Sequence, residues 1–152
     1  MPTLRLLAKT MLVCVIALGA YTTTQAQQRT VRQVIVPDED RFAPFAITIH
    51  AGQSVQWVNM DTDDHTLVSN NSFNTSGHWG TDVLIKGTAS NNGKPGTFTL
   101  MFPHPGTFPY YCRFHAKLDK WHQPFAPGPR GGIQGPKGNF GTPMNGVITV
   151  LP

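Results

Sequence analysis

Apolar and polar residues alternate along several short stretches of the chain, with the two-residue period of β-strands. In the stretch AITIHAGQSVQWVN, Ile47 and Ile49 fall on one face of a predicted strand. Val55, Trp57 and Asn59 fall on one face of the next strand, and the Ala-Gly-Gln segment between the two is the predicted turn.

Three further stretches repeat this alternation, each bounded by Gly or Pro: TFTLMF at 97–102, TFPYYC at 107–112 and GVITVL at 146–151. No window sustains apolar residues at helical spacing over three turns. Short strands separated by frequent turns are typical of sandwiches. The pattern therefore predicts an all-β fold, an antiparallel β-sandwich with Greek-key connections.

Two segments interrupt the strand pattern. Residues 69–96 are rich in Asn, Ser and Gly, and residues 116–143 hold five Pro and six Gly. Loops of such length are usually functional or disordered. We predict one extended Gly/Pro-rich loop over 116–143.

The N-terminus has the organisation of a secretory signal peptide. Arg5 and Lys9 precede a ten-residue apolar run from Met11 to Ala20, and small residues lead to Ala26. The run is well short of the roughly 20 apolar residues that span a bilayer, so we expect no stable membrane insertion after cleavage. We predict that residues 1–26 are removed and that the protein is exported, with the periplasm as its compartment.

The predicted mature chain, 27–152, has 126 residues, which suits a single domain. It carries ten basic and eight acidic residues, a net charge of +2, and no basic stripe interleaved with aromatic residues. This composition argues against a nucleic-acid partner. Its one cysteine is Cys112. An unpaired cysteine in an exported protein is an intermolecular bridge, a liability or a thiolate held by a metal.

Four residues near the ends of predicted strands form a candidate ligand set. Cys112 ends one strand and His115 follows in the turn, while Met144 precedes the last strand and His65 follows the strand of Trp57. A thiolate, two imidazoles and a thioether are the ligands of a blue copper centre, in which the methionine is a weak axial ligand. Zinc would accept the first three, but a thioether is a poor zinc ligand.

Three blocks of the sequence resemble the plastocyanin-like cupredoxins: FAPFAITIHAGQSVQWVNMDTDDHTLVS, GTFTLMFPHPGTFPYYCRFH and MNGVITV. The resemblance covers most of 42–115 and 144–151. It implies a cupredoxin-like Greek-key sandwich and one type 1 copper held by His65, Cys112 and His115, with Met144 axial.

The same resemblance implies a small one-electron carrier. The Thr66 backbone N–H would donate to the Cys112 sulfur. Electrons would pass through the exposed edge of His115 to a redox protein partner, such as a cytochrome or a copper oxidoreductase, with Tyr111 on a possible second route.

Several residues have other interpretations. Cys112 could be a buried inert thiol, and Met144 could be a core residue. His122 lies inside the predicted loop and could cap the site or replace Met144. The other histidines of the mature chain are interpreted as surface residues: His50, His78 and His104.

A catalytic role is the alternative at the level of function. Multicopper oxidases and copper nitrite reductases need a second copper and usually have a histidine directly beside the cysteine. Here Tyr111 and Arg113 flank Cys112, and no His-x-His pair exists. A binuclear copper centre would need two cysteines. We therefore predict an electron-transfer protein and not an enzyme. The alternative is a copper enzyme or copper-carrier module whose open or modified site is formed with the long loop.

Overall fold

The structure is a computed structural model that describes residues 31–69, 81–126 and 142–152. The predicted signal peptide, 1–26, lies outside these ranges. In the described part all regular secondary structure is β-strand. The strands are β1 Val31–Val36, β2 Ala46–His50, β3 Ser54–Asn59, β4 His65–Ser69, β5 Thr81–Ile85, β6 Gly96–Met101, β7 Gly106–Tyr111, β8 Lys117–Leu118, β9 Pro124–Phe125 and β10 Asn145–Leu151. Across these same ranges, a helix of the length and apolarity needed to traverse a membrane is not found.

Two sheets form the body of the fold. One has the strand order β1-β3-β6, and the other has the order β2-β10-β7-β4-β5. The predicted all-β sandwich is confirmed. Its pairing is mixed, because β1 runs parallel to β3 and β2 runs parallel to β10, whereas the other pairs are antiparallel. Both parallel pairings lie at sheet edges.

The hydrophobic core contains side chains from both sheets, so the two sheets pack against each other through it. Val55, Trp57 and Asn59 of β3 are all fully buried, as the alternation predicted. Trp57 contacts Tyr110 of β7 edge to face, with ring centroids 5.5 Å apart. The core cluster comprises Val34, Val36, Phe42, Ile49, Val55, Trp57, Leu67, Ile85, Phe102, Phe108, Tyr110, Cys112, Met144, Ile148 and Val150.

The turn between β2 and β3 is at the predicted place. Gly52 has a φ of 84°, a left-handed conformation that glycine adopts without steric cost. The Gln53 N–H donates to the His50 carbonyl at 3.0 Å and closes the turn.

The predicted extended loop over 116–143 contains a short element of regular structure in its first part. Strands β8 and β9 form a small hairpin there, in which Lys117 pairs with Phe125 and Leu118 with Pro124. The Asp119 carboxylate accepts hydrogen bonds from the N–H groups at positions 121 and 123, at 2.8 and 2.9 Å. Residues 127–141 of the predicted loop lie outside the described residues. The other segment that interrupts the strand pattern, 69–96, contains strand β5. Its residues 70–80 lie outside the described residues.

Candidate metal centre

The predicted ligands meet at one end of the larger sheet. His65 begins β4, Cys112 follows β7, and Met144 precedes β10. Strand β7 lies between β10 and β4 in the sheet, so these three strand ends are neighbours. The turn after β7 adds His115, whose N–H donates to the Cys112 carbonyl at 3.2 Å.

The Cys112 sulfur lies between two imidazole nitrogens. Its Sγ is 3.7 Å from Nδ1 of His65 and 3.7 Å from Nδ1 of His115. The ligand atoms of the three residues all lie within 4.8 Å of one another, which is close enough for one metal ion to contact all of them. Cys112 and His65 are fully buried, whereas the side chain of His115 is 18% exposed.

Met144 is joined to this group through the backbone. The Cys112 N–H donates to the Met144 carbonyl at 2.9 Å, and the Met144 N–H donates to the His115 carbonyl at 3.1 Å. The residue is fully buried. Met144 also belongs to the hydrophobic core cluster, so the ligand and core interpretations of its side chain are compatible.

Thr66 links β4 to the turn that carries the thiol. Its N–H lies 3.3 Å from the Cys112 sulfur, the contact that the resemblance implied for this residue. Its Oγ1 accepts a hydrogen bond from the Arg113 N–H at 2.9 Å and lies 3.7 Å from the same sulfur. A sulfur that accepts such bonds is favoured as thiolate, because hydrogen bonds to the charged form stabilise it.

The electrostatics of the site favour a thiolate. Burial raises the pKa of Cys112, but contacts with His115, His65 and the Thr66 N–H outweigh burial and lower that pKa to about 5. Burial lowers the pKa of His65, but the adjacent Cys112 and the Asp61 and Asp40 carboxylates outweigh burial and raise it above its ordinary value. The metal-free site therefore favours a thiolate, and it stabilises the protonated form of His65 relative to a free imidazole.

Two carboxylates that the sequence analysis missed contact the outer edges of the imidazoles. Asp61 Oδ2 lies 3.2 Å from His65 Nε2. Asp40 Oδ1 lies 3.6 Å from Nε2 of His65 and 3.6 Å from Nε2 of His115. The i, i+4 spacing of Asp61 and His65 in MDTDDH could have indicated the first contact. Asp40 is 25 residues before His65, and no local pattern signals its approach.

None of the other histidines in the described residues belongs to a potential metal-binding group. His122 is exposed on the turn between β8 and β9, with a φ of 60°, and is not among the potential metal-binding groups of the described residues. Tyr111 is half-buried, and its partial burial raises its pKa. His50 and His104 are exposed, as predicted, and His50 Nδ1 lies 2.8 Å from the Pro152 carbonyl oxygen. His78 lies outside the described residues.

The donor set suits copper. A thiolate and two imidazoles converge in a buried space, and the imidazoles face the sulfur with Nδ1 while Nε2 faces carboxylates. Carboxylates on the far ring nitrogens are the usual outer partners of metal-bound histidines, because they fix the tautomer and the ring orientation. Three soft or borderline donors of this kind, with a buried methionine adjacent, match a copper electron-transfer site.

Comparisons with known proteins agree with this fold. The model of the cupredoxin-like domain family matches residues 10–120, a range that includes His65, Cys112 and His115 and ends before Met144. The chain is similar to amicyanin from Paracoccus versutus, with 16% identity and a TM-score of 0.50 over 80% of this chain and 81% of that chain.

Two other amicyanin structures are similar at the same level. An oxidised variant has 15% identity and a TM-score of 0.50 over 79% of this chain and 81% of that chain. A Cu(I) form of another variant has 14% identity and a TM-score of 0.50 over 80% of this chain and 82% of that chain. At these identities the likeness concerns the fold alone.

Proposed function

The chain belongs to the cupredoxin-like domain family, and on that premise we propose that it is a one-electron carrier with a type 1 copper site. In this proposal His65, Cys112 and His115 hold the metal, and Met144 is the weak axial ligand. One copper ion is bound per chain.

The observation that carries the proposal is the position of the Cys112 sulfur. It is buried, lies 3.7 Å from Nδ1 of each histidine and accepts a hydrogen bond from Thr66. A copper ion bound there would supply a one-electron couple between Cu(I) and Cu(II). The low pKa of Cys112 favours the charged sulfur that such a site requires.

The residues around the site hold the donors in nearly fixed positions. Backbone hydrogen bonds join Cys112, His115 and Met144, and Thr66 ties the ligand turn to β4. The two oxidation states of copper prefer different coordination geometries. Donors that cannot move far keep the rearrangement between these states small, and fast electron transfer follows.

His115 provides the exit for the electron. Its side chain is 18% exposed, unlike the buried His65. Phe114 lies next to it with 49% exposure and its ring centroid 6.5 Å from the imidazole, so an apolar surface adjoins the exposed ring. We propose that a redox protein partner docks here. Tyr111, which precedes Cys112, offers a second route.

Electron transfer is favoured over catalysis by the residues beside the thiol. Tyr111 and Arg113 flank Cys112, so neither neighbour is the histidine that would lead to a second copper.

Export completes the proposal: residues 1–26 act as a leader, and 27–152 functions in the periplasm as a single domain. Mass measurement of protein isolated from the periplasm should give a chain that begins at Gln27, and a chain that retains the leader would contradict this part.

Absorption and paramagnetic-resonance spectra test the copper site. The mature protein loaded with Cu(II) should show intense visible charge transfer from the thiolate and the narrow hyperfine splitting of a type 1 site. Cys112→Ser should lose both, whereas His122→Ala should keep both. Weak, broad bands from the loaded wild-type protein would show that the sulfur is not a ligand.

Electron-exchange kinetics test the docking surface. Phe114→Ala removes exposed apolar surface beside His115 and should slow exchange with a protein partner without changing the spectrum. Leu151 is similarly exposed, at 41%, but it lies at the opposite end of β10 from the site. Leu151→Ala is therefore the matched control. Equal rates for the two variants would place docking elsewhere.

A further inference from the structure

The segment between β1 and β2 brings one carboxylate to both site histidines. Asp40 Oδ1 lies 3.6 Å from Nε2 of His65 and 3.6 Å from Nε2 of His115. The Nδ1 atoms of the same rings face the sulfur of Cys112. The carboxylate and the thiol therefore lie on opposite edges of one pair of imidazoles.

Backbone hydrogen bonds and side-chain packing hold this segment in place around Asp40. Ile35 and Ala43 exchange two hydrogen bonds of 2.8 Å across its base. Phe42 is buried and packs edge to face on Tyr110, with centroids 4.8 Å apart. Asp40 itself has a φ of 50°, a left-handed conformation that Asp and Asn adopt more readily than most residues. Its side chain is only 16% exposed, so water screens the carboxylate incompletely.

Asp61 has a different role from Asp40. Its Oδ2 lies 3.2 Å from His65 Nε2, and its Oδ1 accepts a hydrogen bond of 2.6 Å from the Thr62 N–H. It therefore orients one ring and stabilises its own turn. Asp40 contacts both rings, including the exposed ring of His115.

We infer that Asp40 is a positioning residue that joins the two histidines at their outer edges and lowers the reduction potential of the site. The inference rests on the proposed copper site. The distances of 3.6 Å exceed those of a hydrogen bond, so Asp40 acts mainly through its charge. A negative charge beside both ligand rings stabilises the oxidised form, which carries one more positive charge than the reduced form.

Replacement of Asp40 by Asn tests the charge without changing the shape of the side chain. Asn also tolerates the left-handed backbone at this position. Asp40→Asn should shift the equilibrium toward Cu(I) by about tenfold, which for a one-electron couple raises the potential by about 59 mV. The blue colour should persist, because Asp40 is not a ligand.

Asp38→Asn is the matched control. It removes the same charge from the same segment, but Asp38 is exposed and is not among the residues in contact with the two rings. Its potential should stay close to that of the wild-type protein. Asp40→Gly, which also suits a left-handed backbone, removes the carboxylate entirely. It should raise the potential and speed the loss of reduced copper to a chelator, since His115 is then held less firmly.

The outcomes separate this inference from the proposed function. A blue wild-type protein whose potential rises in Asp40→Asn, and not in Asp38→Asn, supports the role of Asp40. A blue wild-type protein with equal potentials for the two Asn variants overturns it and leaves the electron carrier intact. A wild-type protein that binds copper without the type 1 spectrum overturns the proposed function, and this inference with it.

Discussion

At the scale of single residues, Cys112 shows how neighbours change the chemistry of a thiol. Burial opposes its ionisation, yet two imidazoles and the Thr66 N–H lower its pKa to about 5. In the metal-free protein we expect the ultraviolet absorbance of the thiolate to appear as the pH rises through this value. In denaturant it should appear only near the ordinary pKa of the thiol, about 8.5.

The same depressed pKa makes the stability of the metal-free protein depend on pH. A thiol that ionises more readily when folded contributes stability that is complete above its unfolded pKa and is lost as the pH falls through its folded pKa. The free energy of unfolding of wild-type protein, measured relative to Cys112→Ser, should therefore rise between pH 5 and pH 8. A difference that does not vary with pH would contradict a folded thiolate.

Met144 is a second residue whose role can be separated from its packing. Leu has nearly the volume of Met, so Met144→Leu should cost less than about 1.5 kcal/mol in the buried core. Loss of a weak thioether donor disfavours Cu(II) more than Cu(I), so we expect a higher reduction potential with the blue colour retained. Voltammetry of the loaded variant checks this. An unchanged potential would mean that Met144 is only a core residue.

At the scale of elements, alternation located β7 and β10, the strands beside Cys112 and Met144, but not β4, which begins at His65 and is buried at all five positions. The predicted stretches 97–102, 107–112 and 146–151 lie within one residue of β6, β7 and β10. Each has one face in the core and one turned outward, which is the arrangement that alternation reports. The three-residue spacing of Cys112 and His115 also predicted that both lie in one turn, because residues so close in sequence meet without any long-range contact.

Other features depend on the folded chain and have no local signature. The hairpin of β8 and β9 has two residues in each strand, too few to show a period. The two parallel pairings, of β1 with β3 and of β2 with β10, join segments that are separated in sequence. Asp40 lies in a segment that is fixed by the Ile35–Ala43 hydrogen bonds and by buried Phe42, and no local sequence pattern signals that it approaches the site.

Gly146 in β10 permits a close approach that the strand needs. A Cβ at this position would lie 2.5 Å from both Cζ and Oη of Tyr110 and 3.0 Å from the Phe45 carbonyl oxygen. Tyr110 is fully buried, and a close-packed interior leaves its ring little room to shift. We expect Gly146→Ala to lower the free energy of unfolding by about 1–3 kcal/mol through overpacking, as measured by denaturant unfolding.

A double-mutant cycle identifies the cause of that loss. In a Tyr110→Leu background, which removes the ring, Gly146→Ala should cost clearly less than it does alone. The same cost in both backgrounds would assign the loss to the backbone of β10 instead of to the contact with Tyr110.

At the scale of the whole molecule, the metal site and the hydrophobic core are continuous. Cys112 and Met144 belong to the same cluster as Trp57 and Tyr110. Most members of that cluster are apolar side chains of the two sheets, and their burial does not depend on a metal. The fold should therefore form without copper, and the donors should already be close together when the metal arrives.

Copper should nevertheless stabilise the molecule, because the unfolded chain has no equivalent arrangement of the four donors. Binding to the folded state alone adds about 4 kcal/mol when the free metal is about 1,000-fold above its dissociation constant. We expect the loaded protein to melt well above the metal-free protein in calorimetry, and we expect the metal-free protein to retain its β circular dichroism. Cys112→Ser should lose most of the copper-dependent rise while keeping the strand signal. If the metal-free wild-type chain were unfolded, the core alone would be insufficient, and the site would be part of what holds the two sheets together.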